Sequence, residues 1–331
     1  MTATLEGLRE TRDREREYFL GRVASIRHLL EDPTITDISL NEPALMGGKG
    51  HVWADYDAKG YCDTGVELDA REAEVIVRSI AHGVEWSPSK PFVSCQAVGG
   101  EYRLEAQMPP ATRRAPVFTI RKYICRRVRL QEYVDAGELC VREAQMLAEA
   151  VSRPETILTA GETGAGKTTL TNALLLEAGQ KPGHRILTIE DTPELEQPNE
   201  LSLQLVAQRE GRFSYSEAIK SALRHKPSYI VLGELRPGGD EAFEAICAWR
   251  SGHRGMATIH AESAADMPHT LLSLCRQSTY GRMLTEHDIA RYVRVLVHVR
   301  RVNGRRLFDV RRLVRWDGAE FQTERLCDGE G

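Results

Sequence analysis

The sequence predicts an α/β protein, a smaller α+β domain followed by a parallel sheet covered by helices, and three observations predict it. Composition changes character near residue 130; beyond residue 141, strand-length apolar runs alternate with helix-period segments; and a glycine-rich turn joins the first of those runs to the helix after it. A chain of 331 residues with 41% hydrophobic content has room for about two domains, each with its own core.

The elements follow in order. Residues 5–30 space Leu5, Leu8, Tyr18, Phe19, Val23, Ile26 and Leu29 as an amphipathic helix would, which is compatible with a core helix, a subunit contact or a membrane-surface helix. Short alternating runs at 35–40 and 51–53 are broken by Gly-Gly and Asp-Pro, with a helical stretch at 69–82 among them. This N-terminal α+β domain takes residues 1–130, with a linker over 131–140 and a second domain over 141–331. Val141, Ala144, Leu147, Ala148 and Val151 recur at helical spacing until Pro154 stops them. Strands are then expected at 156–160, 185–189, 201–206, 229–232 and 255–259, and helices at about 167–178, 215–224, 239–250 and 264–277. Two apolar runs, 292–302 and 306–314, flank Asn303-Gly304, a strong hairpin signal.

Composition narrows the function. No apolar stretch reaches the roughly 20 residues a spanning helix needs, and the charged run 9–17 is unlike a signal peptide, so the chain is expected in the cytosol. Seven scattered cysteines without a CxxC pair predict reduced, packing thiols rather than a zinc site or a disulfide framework. The net charge of −4 argues against direct nucleic-acid binding, and no metal is expected beyond a nucleotide's magnesium.

The most specific motif is GETGAGKT, residues 161–168, a full match to GxxxxGK[ST] between an apolar strand and a helix. Gly161, Glu162, Thr163, Gly164, Ala165, Gly166, Lys167, Thr168 and Thr169 are therefore the expected cradle for the phosphates of ATP. Backbone N–H groups and the helix N-terminus supply positive potential, Lys167 reaches the β- and γ-phosphates, and Thr168 ligates Mg2+. Two further stretches bear on the chemistry. In ILTIEDTPELE, residues 186–196, a buried-type strand delivers Glu190 and Asp191 to the carboxyl end of the sheet, although an ordinary acidic strand-to-loop junction would read the same. In SGHRGMATIHAES, residues 251–263, a strand ends at His260, where a lone histidine is more often structural than catalytic. SYIVLGELRP, residues 228–237, places Gly233 where many ATP-hydrolysing sheets carry a magnesium aspartate, followed at once by Glu234.

In order, GETGAGKT, TIEDTPELE, IVLGELR and GHRGMATIHA resemble the Walker A, Asp-box, atypical Walker B and His-box motifs of the secretion ATPase superfamily, which serves type II and type IV secretion, pilus retraction and conjugation. There the Walker B strand normally ends Gly-Glu, so Gly233 is expected. EDTPELE resembles the TrbB-like conjugative-transfer and type IV secretion branch. Pilus motors usually carry Pro directly after the Glu-Asp pair, and the type II branch usually carries four clustered cysteines. The resemblance implies a RecA-like P-loop NTPase domain behind a PAS-like N-terminal domain, in a homohexamer docked on inner-membrane components of a secretion or conjugation channel, cytoplasmic and peripheral at the inner membrane. Residues 99–123 resemble the segment that presents arginines to the nucleotide, which selects Arg103 and Arg121, with Arg113 and Arg114 as competitors. Glu262, where many relatives have Asn, and RPGGDEAFEA after the Walker B strand depart from the pattern.

The expected mechanism has Mg2+ held by Thr168 and, through water, Glu190 or Glu234. Glu234, on a strand beside the P-loop strand, is the favoured residue to activate water, with Glu190 the alternative. His260 is expected to sense the γ-phosphate, and Arg103 and Arg121 to neutralise developing charge. Rival readings are a type IV pilus or type II secretion motor, a nucleotide-binding scaffold with little turnover, a RecA-like DNA-binding protein and a small-molecule kinase.

Overall fold

The computed structural model describes residues 5–42, 48–56, 60–122, 128–153, 155–208, 213–302, 305–325 and 327. The chain divides into two compact units, Met1–Ile124 and Cys125–Gly331.

The first unit opens with α1 (Leu5–Arg22) and α2 (Arg27–Glu31) and continues with β1 (Ile35–Leu40), β2 (Gly50–Tyr56), β3 (Gly60–Leu68), α3 (Ala70–Ile80), β4 (Phe92–Ala97), β5 (Tyr102–Gln107) and β6 (Val117–Lys122). Its sheet runs β3-β2-β1-β6-β5-β4, every neighbouring pair antiparallel. One face is apolar: Leu104, Ile120, Ile38 and Ala54 are paired in one row and all buried. Against it α3 lays Ala73, Ile76, Val77 and Ile80, and its start is fixed by a capping box between Asp69 and Glu72. Phe19, Leu20, Val23, Ile26 and Leu29 join the same core, so among the described side chains the N-terminal segment is a core helix, with Tyr18 left exposed.

Residues 131–140, expected as a linker, belong to the second unit: α4 (Leu130–Asp135) lies there, and Leu130, Tyr133 and Leu139 are buried in its core. These apolar residues are the physical reason, since a free linker would expose them. Next come α5 (Val141–Ser152), β7 (Ile157–Gly161), α6 (Lys167–Gly179), β8 (Ile186–Glu190), β9 (Leu203–Val206), α7 (Tyr215–Ala222), β10 (Tyr229–Leu232), α8 (Glu241–Arg250), β11 (Arg254–Ile259), α9 (Met267–Gln277), α10 (Glu286–Tyr292), β12 (Val295–Val302), β13 (Arg305–Trp316) and β14 (Phe321–Arg325). The sheet order is β14-β13-β12-β7-β11-β10-β8-β9, parallel from β12 to β9 and antiparallel at β13 and β14. Alternate strand residues feed two cores, Ile157, Ile186, Tyr229 and Val231 packing with α5 and α6, and Leu158, Leu187, Ile230 and Leu232 packing with α7, α8 and α9. Burial on both faces explains why β7, β8 and β10 read as predominantly apolar runs, with Thr159, Thr188 and the terminal Glu190 as the polar interruptions. This is a RecA-like P-loop domain behind a smaller α+β domain. Asn303 and Gly304 lie outside the described residues, while the strands flanking them pair antiparallel up to Val302 and Arg305. Among the described residues, no helix is long and apolar enough to cross a membrane.

The cysteine expectation is corrected. Cys140 and Cys327 form a disulfide across 187 positions, a pairing that sequence spacing does not signal. The β13–β14 hairpin brings the tail back against the start of α5, where Val310 and the charges of Arg325 and Asp309 act on buried Glu143, three residues after Cys140.

Candidate nucleotide site

Residues 161–169 run from the end of β7 into the first turn of α6. Gly161 has φ of +148°, and a Cβ there would lie 2.0 Å from the Val299 carbonyl oxygen of β12, so only glycine fits. The Lys167 ammonium folds back on the loop, donating to the carbonyls of Gly161 at 2.7 Å and Glu162 at 3.0 Å. Burial lowers its pKa, while the carboxylates of Glu234, Glu162 and Glu194 oppose the change. Lys167 is thus a partly buried cation held by neutral carbonyls, within electrostatic reach of three carboxylates.

The acid at the P-loop threonine is one the motif reading does not single out. Thr168 Oγ1 donates to Glu194 Oε2 at 3.2 Å, and Asn172 of α6 holds the same loop from both sides, donating to the Glu194 carbonyl at 3.1 Å and accepting from Glu196 N–H at 2.9 Å. A hydroxyl beside a carboxylate suits a hard, oxygen-seeking cation such as Mg2+. Glu194 is returned to the P-loop by the bond of its N–H to Glu190 and by Asn172, partners that no local motif announces.

Glu190, expected at the metal or the water, is 2% exposed at the end of β8. Its carboxylate accepts from the backbone N–H of Glu194 at 2.9 Å and of Leu195 at 3.0 Å, and from Gln204 Nε2 at 3.2 Å. Burial pushes its pKa up to about 7 against the pull of these bonds. Glu190 thus shapes the loop that carries Glu194. It also explains Gly233, since a Cβ at that position would stand 3.0 Å from Glu190 Cγ.

Glu234 leaves β10 where Gly233 N–H bonds Ile189 and Leu235 N–H bonds Thr258, a crossing that leans the chain from β8 toward β11. The P-loop strand β7 lies between β12 and β11, which ends before His260, and β10 lies one place further out. This corrects the expected placement of Glu234, which nevertheless acts electrostatically on Lys167. His260 Nε2 lies 2.6 Å from Glu234 Oε1, Arg236 Nε engages Glu234 Oε2, and Arg236 Nη1 reaches Asp191 Oδ2 at 3.2 Å. Acids and bases thus gather at the carboxyl ends of β7, β11, β10 and β8, where open α/β sheets bind ligands.

Arg103 and Arg121 sit in the first unit as direct cross-strand partners on β5 and β6, on the face opposite the core. Arg103 pairs with Glu105 at 3.1 Å and Arg121 with Asp37 at 2.8 Å. Arg113 and Arg114 are exposed in the β5–β6 connection, where the backbone N–H of Arg114 is bound by Glu42.

Fold and site together define a P-loop nucleoside-triphosphate-binding protein. Residues 97–313 match the Type II/IV secretion system protein family. The chain belongs to that family, on its TrbB-like branch. It is 29% identical over 306 residues to the conjugal transfer protein TrbB of Rhizobium radiobacter, covering 91% of this chain and 90% of the relative. It is 30% identical over 307 residues to the type IV secretion system protein VirB11 of Brucella suis biovar 1, covering 83% and 82%. Among solved structures, the pilus retraction motor PilT with bound ADP shares the fold at a TM-score of 0.65 and 19% identity, covering 90% of this chain and 84% of that one.

Proposed function

We propose that the chain hydrolyses ATP in a Mg2+-dependent reaction and, as a homohexamer at the cytoplasmic face of the inner membrane, powers a type IV secretion or conjugative DNA-transfer channel. The observation that carries the reading is the convergence of Lys167, Thr168 with Glu194, and Glu234 with His260 on four neighbouring strand ends. The names TrbB and VirB11 support the conjugation and secretion setting.

In this mechanism Lys167 leaves its loop carbonyls for the β- and γ-phosphates, an exchange of neutral acceptors for charged ones. Thr168 and Glu194 are the residues that would hold magnesium, which when bound neutralises phosphate charge and orients the terminal phosphoryl group. Glu190 keeps Glu194 in place through the loop N–H groups. Glu234 takes the proton of the attacking water, and His260, already at its carboxylate, donates to the γ-phosphate while that group is present. Arg103 and Arg121 exchange their carboxylate partners for the phosphates and stabilise charge that develops as the terminal bond breaks, a contribution worth roughly 10³–10⁵ in rate for a complete arginine finger.

The test is phosphate release from ATP with and without Mg2+ for the wild type, Lys167→Ala and the pair Arg103→Ala and Arg121→Ala. Activity is expected to need Mg2+ and Lys167, and to fall at least about 10²-fold in the arginine variants with ATP still bound. Full turnover in both arginine variants would remove the first unit from the chemistry.

A further inference from the structure

Both oxygens of the Glu234 carboxylate have a basic partner, which restrains where the carboxylate can point. His260 Nε2 lies 2.6 Å from Oε1, and Arg236 Nε engages Oε2. Arg236 is also anchored a second time: its Nη1 lies 3.2 Å from Asp191 Oδ2, on the strand end beyond β10. A guanidinium is a planar fork with separate donors, so it can release one carboxylate while the other still holds it. Resting on the hydrolysis proposed above, we propose that Arg236 is a positioning residue that parks the Glu234 carboxylate in a resting place and frees it by pivoting on Asp191. The incoming polyphosphate draws His260 from Oε1, which leaves Arg236 as the remaining restraint on Glu234. Asp191, prominent in the sequence as the second acid of the Glu-Asp pair, thereby becomes the landing site for the guanidinium.

Two substitutions then act in opposite directions. Arg236→Gln removes the restraint, and the dilute chain is expected to turn over at least about threefold faster with KM for ATP changed less than about twofold. Asp191→Asn removes the landing site, leaves Arg236 on Glu234, and is expected to lower kcat by about threefold or more, again with KM kept. Arg236→Lys, whose single ammonium can hold Glu234 but lacks the fork that reaches Asp191 as well, is expected to fall below the wild-type rate, as Asp191→Asn does. Local damage to the site lowers kcat in both variants, so a fall in both overturns the proposal. A rise of about tenfold or more in KM for Arg236→Gln also overturns it, because the guanidinium then contacts the bound nucleotide. Thermal unfolding checks that each variant folds; should Arg236→Gln fail, Arg236→Ala is read in its place for the same rise in kcat. Glu234→Gln run alongside separates the two readings. Wild-type turnover in that variant sinks the hydrolysis role of Glu234, whereas an inactive Glu234→Gln with both other variants slowed sinks only the pivot.

Discussion

Replacing Glu190 by Gln should change how the stability of the protein depends on pH. The carboxyl is 2% exposed and titrates near 7 instead of the ordinary 4.5, with burial as the leading cause. Each tenfold change in proton affinity is worth about 1.4 kcal/mol, so the raised affinity corresponds to on the order of 3 kcal/mol. The sign follows from counting protons. Between pH 4.5 and 7 the folded chain holds a proton on Glu190 that the unfolded chain has released, so stability from this group is full below about 4.5 and lost as pH rises to about 7. Glutamine stays neutral and lacks the dependence, keeping an oxygen for the N–H groups of Glu194 and Leu195 at the cost of a new amide to satisfy. The assay is urea unfolding of nucleotide-free, EDTA-treated wild type and Glu190→Gln at pH 5, 6, 7 and 8, followed by tryptophan fluorescence. Every other titrating group cancels in the difference between the two proteins. That difference should move in favour of the variant by on the order of 3 kcal/mol from pH 5 to pH 8. A difference flat across this range would refute the buried, protonated carboxyl.

Two further outcomes are expected. Gly161→Ala, which sets a methyl group 2.0 Å from the Val299 carbonyl oxygen, should cost on the order of 3 kcal/mol or more and abolish ATP binding, as read by urea unfolding and nucleotide titration. Alkylation of the denatured, unreduced chain should leave Cys140 and Cys327 unmodified, and Cys140→Ala should lower unfolding stability by about 2–4 kcal/mol under non-reducing conditions.

What is legible in the sequence follows from where its signals are local. The P-loop is readable because a strand, a tight turn and a helix start occupy adjacent residues, and Lys167 and Thr168 lie where that motif predicts. The parallel sheet is readable because its strands are buried on both faces and carry apolar runs. Strand order is not local. The placement of β11 between β7 and β10 depends on pairing among segments far apart in sequence, so the neighbours of the P-loop strand cannot be read from spacing. The exchange of Glu190 for Glu194 beside Thr168 has a similar origin, since burial of one acid and return of the other depend on Asn172 and Gln204 as partners. Residues 131–140 read as a linker because α4 is short and its apolar side chains find their core only in the folded unit. The disulfide joins residues with no spacing rule between them.

If the strand ends around Glu234 carry out Mg2+-dependent hydrolysis in an assembled chain, specific ATPase activity must depend on protein concentration and on that carboxylate. Both dependences are read in one measurement, a concentration series for the wild type and Glu234→Gln side by side. Activity should rise with concentration and fall at least about 10²-fold in the variant while ATP binding persists. Equal turnover in the two proteins, or confirmed ATP binding with no hydrolysis at any concentration, would contradict a hydrolytic site built around Glu234.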